Sequence, residues 1–163
     1  MDSVVVGFGG NIGDDAAIVE RFRRAREAFA VIGSVRSASL YRSAPIGPMQ
    51  PAFLNTAVSW RFDGGAAELI STVLEIERLL GRDRRGEARW GPRVIDLDVL
   101  VWGERAIRTP ELEVPHPRLV ERRFALLPLI DLVGGDAVVA GQPLAAHARR
   151  VATQAVEPIS ETW

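Results

Sequence analysis

Apolar residues change their spacing four times between Val4 and Trp102, and that order of periods limits the folds open to this 163-residue chain. Val4 to Phe8 is a short apolar run closed by Gly9-Gly10-Asn11, as expected of a strand ending in a turn. Ile18, Phe22, Ala25, Phe29 and Ile32 then recur at spacings of four and three, one face of a helix, with Asp14 or Asp15 near its start and Gly33 at its end. Strands are expected over 35–41 and 53–62, separated by the turn formers Ser43-Ala44-Pro45-Ile46-Gly47-Pro48-Met49-Gln50-Pro51. Leu69, Val73, Ile76 and Leu80 mark a second helix stopped by Gly81, and a strand through Ile95 and Trp102 follows. Strand, helix, strand, strand, helix, strand packs as an antiparallel sheet with both helices on one face, the ferredoxin-like βαββαβ plan of the α+β class. A C-terminal extension begins near Thr109. Within it Val114-Pro115-His116-Pro117 is extended or turning, while 118–127 and 143–151 are candidate helices. No repeat, linker or low-complexity tract interrupts the chain, so residues 1–163 are expected to form one domain.

The last of these strands carries two carboxylates, Asp96 and Asp98, in the otherwise apolar run Val94-Ile95-Asp96-Leu97-Asp98-Val99-Leu100-Val101. Side chains alternate along a strand, so the two aspartates share a face while Ile95, Leu97 and Val99 take the other. Their Cα atoms stand roughly 6.6 Å apart. Two unit charges at that distance repel by about 2.5 kcal/mol at an effective dielectric near 20. A divalent cation between them converts the repulsion into a ligand site, and Mg²⁺ typically takes one or two protein carboxylates with water and phosphate oxygens completing its shell. A solvated polar face of the sheet is the alternative that spacing alone leaves open.

The residues leading into this strand are cationic: Arg78, Arg82, Arg84, Arg85, Arg89 and Arg93, punctuated by Gly81, Gly86, Gly91 and Pro92, with Trp90 among them. Guanidinium forks match phosphate oxygens, and an indole offers a flat surface to a base or an arginine. A cationic, glycine-punctuated loop entering an Asp-x-Asp strand is the layout expected for a polyphosphate with Mg²⁺; a solvated charge run is the competing reading.

Composition narrows the chemistry. Every one of the 20 basic side chains is arginine and there is no cysteine, which removes Schiff-base chemistry, the P-loop lysine, thiolate metal sites and cysteine nucleophiles. A net charge of −1 argues against bulk electrostatic binding of nucleic acid. No apolar run is long enough to span a bilayer, and Met1-Asp2-Ser3 lacks the basic start of a signal peptide, so a cytoplasmic location is expected.

Smaller motifs carry less. Gly7-Phe8-Gly9-Gly10-Asn11-Ile12-Gly13 has the wrong glycine spacing for a dinucleotide fold, and Tyr41-Arg42-Ser43 supplies no ribose-binding acid. These glycines instead serve a tight turn or close ligand approach. Phe53 and Asn55 face one way along their strand, an aromatic beside an amide, which suits a flat heterocycle; a core Phe with a strand-end Asn is the plain alternative. His116 sits in a stiff segment between prolines, one of Arg122 and Arg123 can face a ligand, and Glu77 is by default an exposed helix residue.

Together, Gly9-Gly10-Asn11, Tyr41-Arg42-Ser43-Ala44-Pro45-Ile46-Gly47, Phe53-Leu54-Asn55-Thr56-Ala57, Trp90-Gly91-Pro92-Arg93-Val94-Ile95-Asp96-Leu97-Asp98 and Pro115-His116-Pro117 with Arg122 and Phe124 resemble the 6-hydroxymethyl-7,8-dihydropterin pyrophosphokinase family of folate biosynthesis. The resemblance implies transfer of pyrophosphate from ATP to the pterin hydroxymethyl group, releasing AMP. It implies that Asp96 and Asp98 hold two Mg²⁺ ions, and that these with Arg82 and Arg93 form the catalytic set. Phe53 and Phe124 would sandwich the pterin, and Asn55 with Ser43, Ala44, Pro45 and Ile46 would read its edge. Arg82, Arg93, His116 and Arg122 would meet ATP, with Glu77, Arg85, Trp90 and Val99 matching further nucleotide-site positions. Whether Arg84 or Arg85 faces the phosphates stays open, and Gly10 stands where the family often has Ser. The loops around Gly47-Pro48 and from Gly81 to Gly91 are expected to close over the nucleotide. Expected partners are the two small-molecule substrates and neighbouring folate-pathway enzymes, with no nucleic acid and no membrane. A non-enzymatic RRM-like RNA-binding module is the rival reading, since it shares the element order and would stack bases on Phe53 and Trp60.

Overall fold

The computed structural model describes residues 2–88 and 90–163. β1 (Ser3–Gly10) lies between β4 (Phe53–Arg61) and β5 (Asp96–Trp102), antiparallel to both. Between β1 and β4 come α1 (Asp15–Ala30), β2 (Arg36–Ser37) and β3 (Leu40–Ser43), and α2 (Ala66–Leu79) joins β4 to β5. The expected βαββαβ order is present, with β3, β4, β1 and β5 side by side in that order. The helix starts with Asp14 as N-cap, its carboxylate accepting the Ala17 N–H at 2.8 Å.

Strand alternation divides the core in two. Val4, Val6 and Phe8 of β1, Val58 and Trp60 of β4 and Leu97 and Val99 of β5 pack beneath Phe22 and Phe29 of α1 and Leu69 and Val73 of α2. Trp60 and Phe29 lie 4.5 Å apart by ring centroid. Each such side chain, fully buried, contributes about 1.5–3 kcal/mol. The opposite face carries Val5, Ala57 and Leu100, covered by the C-terminal part of the chain. There β6 (Ile107–Arg108) pairs with β7 (Glu113–Val114), and a 3₁₀ turn (Leu119–Glu121) leads into α3 (Arg123–Val133). β8 (Val138–Val139) and β9 (Gln142–Pro143) form a second small hairpin before α4 (Leu144–Arg150) and β10 (Val156–Ser160). α3 and α4 cover one half of this face; the half bearing Gly7, Gly9, Asn55, Asp96 and Asp98 borders open space.

Three elements differ from the sequence expectation. The strand expected over 35–41 is broken, because Arg36 and Ser37 pair with Ser59 and Val58 while Tyr41 and Arg42 pair with Asn55 and Leu54, a slip of one residue in register. Asp131 of α3 accepts the Ser39 N–H at 3.0 Å at the slip. α3 begins later than expected and runs on to Val133, the residues before it forming the 3₁₀ turn. β10 adds an edge strand against β3 that no local periodicity announces, with Pro158 inside it.

The same Asp131 holds Tyr41, whose hydroxyl donates to the carboxylate at 2.9 Å. Burial and then the Asp131 carboxylate push the Tyr41 phenol up to about 12. A raised pKa stabilises the fold fully below the unfolded-state value near 10, and that contribution is lost as pH climbs through about 12. The chain has one tyrosine and neither lysine nor cysteine, so little else titrates there. Tyrosinate absorbance should therefore show a native midpoint near 12 and an unfolded one near 10, and stability should fall across that window by up to about 2 kcal/mol. Tyr41→Phe should abolish the fall, as urea titrations at stepped pH would show.

Candidate active site

The register of the three central strands builds the floor of a cleft of about 310 Å³. Gly9 of β1 is opposite Asp96 on one side and Asn55 on the other; Gly7 is likewise opposite Asp98 and Ala57. Two carboxylates thus border two bare backbone positions, with an amide across from them. Asp96 and Asp98 face the cleft while Leu97 and Val99 point into the helix-side core, as the alternation requires.

The aspartates differ in company. Asp96 accepts from Arg82 through Oδ1. Asp98 has the His116 ring as a neighbour, Nε2 to Oδ2 at 3.9 Å, too long for a hydrogen bond. Although 39% of its side chain reaches the solvent in the cleft, burial and then the Asp96 charge push the Asp98 carboxyl up to about 7, against the pull of Arg122 and Arg82. Burial, followed by Arg122, lowers His116. The neutral ring accepts the Arg118 N–H at Nδ1 (3.1 Å), which puts its proton on Nε2, toward Asp98. Among the described residues no cluster of three or more His, Asp or Glu side chains is poised for a cation. Two carboxylates with room for water and phosphate oxygens are a donor set that suits Mg²⁺ and leaves its shell open to substrate.

Glu77 sits behind this floor. It is 1% exposed, not on the open side of α2 as expected from the sequence. Its Oε1 accepts from Leu97 N at 2.8 Å and from Arg82 at 2.6 Å, and its Oε2 accepts from Arg84 at 2.6 Å. Arg82 also binds Glu87 at 3.0 Å. Burial works against the Arg82 charge, but Glu87, Asp96 and Glu77 outweigh it and hold the guanidinium more firmly protonated. Glu77 therefore positions Arg82 and the start of β5 without lining the cleft itself. Arg85 lies outside the cleft lining: its side chain is 92% exposed and pairs with Asp83, whereas Arg84 turns to Glu77. Arg89 lies outside the described residues.

On the amide side, Asn55 donates to the Ser43 hydroxyl at 2.8 Å, and Ala44, Ile46, Phe53 and Phe124 complete the wall. Pro45 is absent from the cleft lining, and Val99, expected at the nucleotide, has its side chain in the core, so any contact it makes there is through backbone. Arg93, His116, Arg122 and Trp90 line the cationic side, and Arg122 rather than Arg123 faces the cleft. Arg123 is drawn away to the Gln154 and Ala152 carbonyls.

Sequence reasoning missed a clasp. Asn11, 2% exposed, accepts the Arg93 N–H at 2.8 Å and donates to Pro51 O and Gln50 Oε1, each at 3.0 Å. Gln50 in turn donates to Trp90 O at 2.7 Å. One buried amide thereby ties both loops flanking the cleft to the end of β1. Arg118, also overlooked, lies 4.7 Å above the Trp90 ring. The RNA-binding reading loses one of its two stacking residues, because Trp60 is 2% exposed and packed against Phe29 on the helix side. Glu77→Ala should lower stability by about 3 kcal/mol, since it leaves Leu97 N without its acceptor and takes from the buried Arg82 one of its three carboxylate partners. Glu77→Gln, which keeps an acceptor, should recover part of the loss; urea denaturation of both variants is the check.

A model of the 7,8-dihydro-6-hydroxymethylpterin-pyrophosphokinase (HPPK) family matches residues 5–134. The chain is 37% identical over 131 residues to the 2-amino-4-hydroxy-6-hydroxymethyldihydropteridine pyrophosphokinase of Synechocystis sp., covering 78% of this chain and 65% of that protein. It is 38% identical over 128 residues to the protein of that name from Bacillus subtilis, covering 78% and 75%. The mitochondrial folate synthesis bifunctional protein of Arabidopsis thaliana is 40% identical over 154 residues, but the match is 88% of this chain and 26% of the plant protein. The chain thus spans about two thirds of the Synechocystis relative and about a quarter of the plant one. A crystal structure of Plasmodium falciparum HPPK-DHPS superposes with a TM-score of 0.67 at 13% identity, over 91% of this chain and 45% of that one, a likeness of fold. With the match running from β1 to the end of α3, this chain belongs to the HPPK family.

Proposed function

We propose that residues 1–163 work as one pyrophosphokinase domain that transfers the terminal pyrophosphoryl group of ATP to 6-hydroxymethyl-7,8-dihydropterin. The reading rests above all on one observation: paired carboxylates and a wall of Phe53, Phe124 and Asn55 share a single cleft edged by Arg82, Arg93 and Arg122. The hydroxymethyl oxygen attacks the β-phosphorus, the bond from that phosphorus to the α–β bridging oxygen breaks, AMP leaves, and the hydroxyl proton passes to water. Such transfer depends on positioning and charge neutralisation rather than on a protein nucleophile.

The chain's own groups divide that work. Phe53 and Phe124 hold the pterin ring, while Asn55, Ser43 and the backbone near Ala44 and Ile46 read its edge. Arg93 and Arg122 meet the phosphates, with His116 as a neutral hydrogen-bond donor beside Asp98. Arg82 balances Asp96 and stands where charge develops on the transferred group. Asp96 and Asp98 would hold two Mg²⁺ ions, which when bound neutralise the triphosphate and acidify the acceptor hydroxyl. The protein acts in the cytoplasm on small molecules, beside other enzymes of folate synthesis; the relative from Pisum sativum is named a mitochondrial folate synthesis bifunctional protein.

AMP release from ATP, measured with and without the pterin, in Mg²⁺ and in EDTA, tests the reading. AMP should form only with pterin and metal together. ADP instead of AMP would show attack at the wrong phosphorus. Asp96→Ala and Asp98→Ala should each lower turnover at least about 100-fold while the circular dichroism spectrum is kept. A variant with near wild-type turnover would overturn the metal assignment.

A further inference from the structure

Glycine at position 9 is not explained by the fold. Gly9 lies inside β1, among extended residues, and its φ is not in the left-handed region where glycine is favoured. Packing does not require it either. A Cβ built there would meet Asn55 Oδ1 at 3.7 Å and Asp96 Cβ at 3.9 Å, both ordinary contacts. Its neighbours behave differently: a Cβ at Gly10 would press on Val94 O at 3.0 Å, and one at Gly7 on Leu100 at 3.2 Å. Position 9 thus accepts a methyl group as far as the protein is concerned, and the space that group would fill belongs to the cleft.

That space lies between the two halves of the site. Asn55, across the pair on β4, belongs to the wall for the heterocycle; Asp96, across the pair on β5, belongs to the carboxylates. A substrate whose ring is held on one side and whose reacting oxygen is delivered to the other must cross the backbone of Gly9. We infer that the bare backbone at Gly9 sets the depth at which the hydroxymethyl arm crosses the floor, making Gly9 a positioning residue for the attacking oxygen. The inference rests on the pyrophosphokinase reading and adds to it a residue that never contacts the phosphates. A methyl group at this point lifts the arm by a fraction of its own height while leaving the ring wall and the arginine rim in place. Displacement of a reacting atom by about 1 Å is enough to cost on the order of 100-fold in rate.

The test is Gly9→Ala in the full chain, with AMP formation, melting temperature and binding of a non-hydrolysable ATP analogue measured together. The melting temperature and the affinity for the analogue should match wild type, kcat should fall on the order of 100-fold, and KM for the pterin should move far less. Unchanged kcat would overturn the inference and leave the proposed reaction standing. So would a rise in KM alone, which would put the ring rather than its arm over Gly9. A lowered melting temperature with loss of analogue binding would make Gly9 a packing residue and overturn it as well. Absence of AMP formation by the wild-type chain would overturn the reaction itself, and the inference with it.

Discussion

The buried Glu77 carboxylate is the interaction on which the site depends. An unpaired ion at that depth would cost several kcal/mol, so its surroundings must supply donors on every side. They come from three places in the chain: Leu97 N in β5, Arg82 just beyond α2, and Arg84 in the loop that follows. Satisfying one carboxylate therefore fixes the distance between α2 and β5 and the path of the intervening loop. Leu97 lies between the two aspartates, so the same bond that satisfies Glu77 also anchors the peptide that carries them.

From that anchor the chemistry follows by alternation. β5 cannot turn Leu97 and Val99 into the core without turning Asp96 and Asp98 out of it, and α1 and α2 cover only the side toward which Leu97 points. α3 and α4 cover the other side as far as Leu100 and Ala57 and no farther. The cleft is what remains of a sheet face half covered. Its rim is held by the Asn11 amide, which links the 44–52 loop to the 81–95 loop through Pro51, Gln50 and Arg93. Loops joined through one buried group cannot adjust independently, and a ligand that orders either therefore biases the other.

What could be read in the sequence was whatever depends on neighbours along the chain. Both long helices, the strands that flank them and the shared face of Asp96 and Asp98 follow from periods of 3.6 and two, and the structure has them. The break between β2 and β3 could not be read, because a one-residue slip arises from pairing with β4 and from the Asp131 carboxylate ninety-two residues away from Ser39. β10 was invisible for the same reason: a five-residue segment containing Pro158 has no strand signal until β3 offers an edge. The burial of Glu77 has no local signal, because helical position near an apolar stripe says nothing of the guanidiniums that let a carboxylate be buried there. Arg84 and Arg85, equivalent in sequence, are separated by direction alone, one toward Glu77 and the other toward Asp83 and solvent.

The two aspartates are alike in sequence and unequal in energy, and that inequality bears on what the cleft attracts. Arg82 already balances Asp96, and Arg82 is itself committed to Glu77 and Glu87, so little of its charge is left for the second carboxylate. Asp98 feels Arg122 only through space and has a neutral imidazole beside it. Nothing prevents a small fold from placing another arginine there; doing so would relieve the desolvation cost and close the site. Leaving Asp98 under-compensated keeps a standing demand for positive charge at the spot where, in the proposed reaction, the polyphosphate comes close to acidic groups. In the proposed reaction a divalent cation would meet that demand and carry phosphate oxygens with it, so the electrostatic cost of the floor in the protein alone would become affinity for the metal–nucleotide pair.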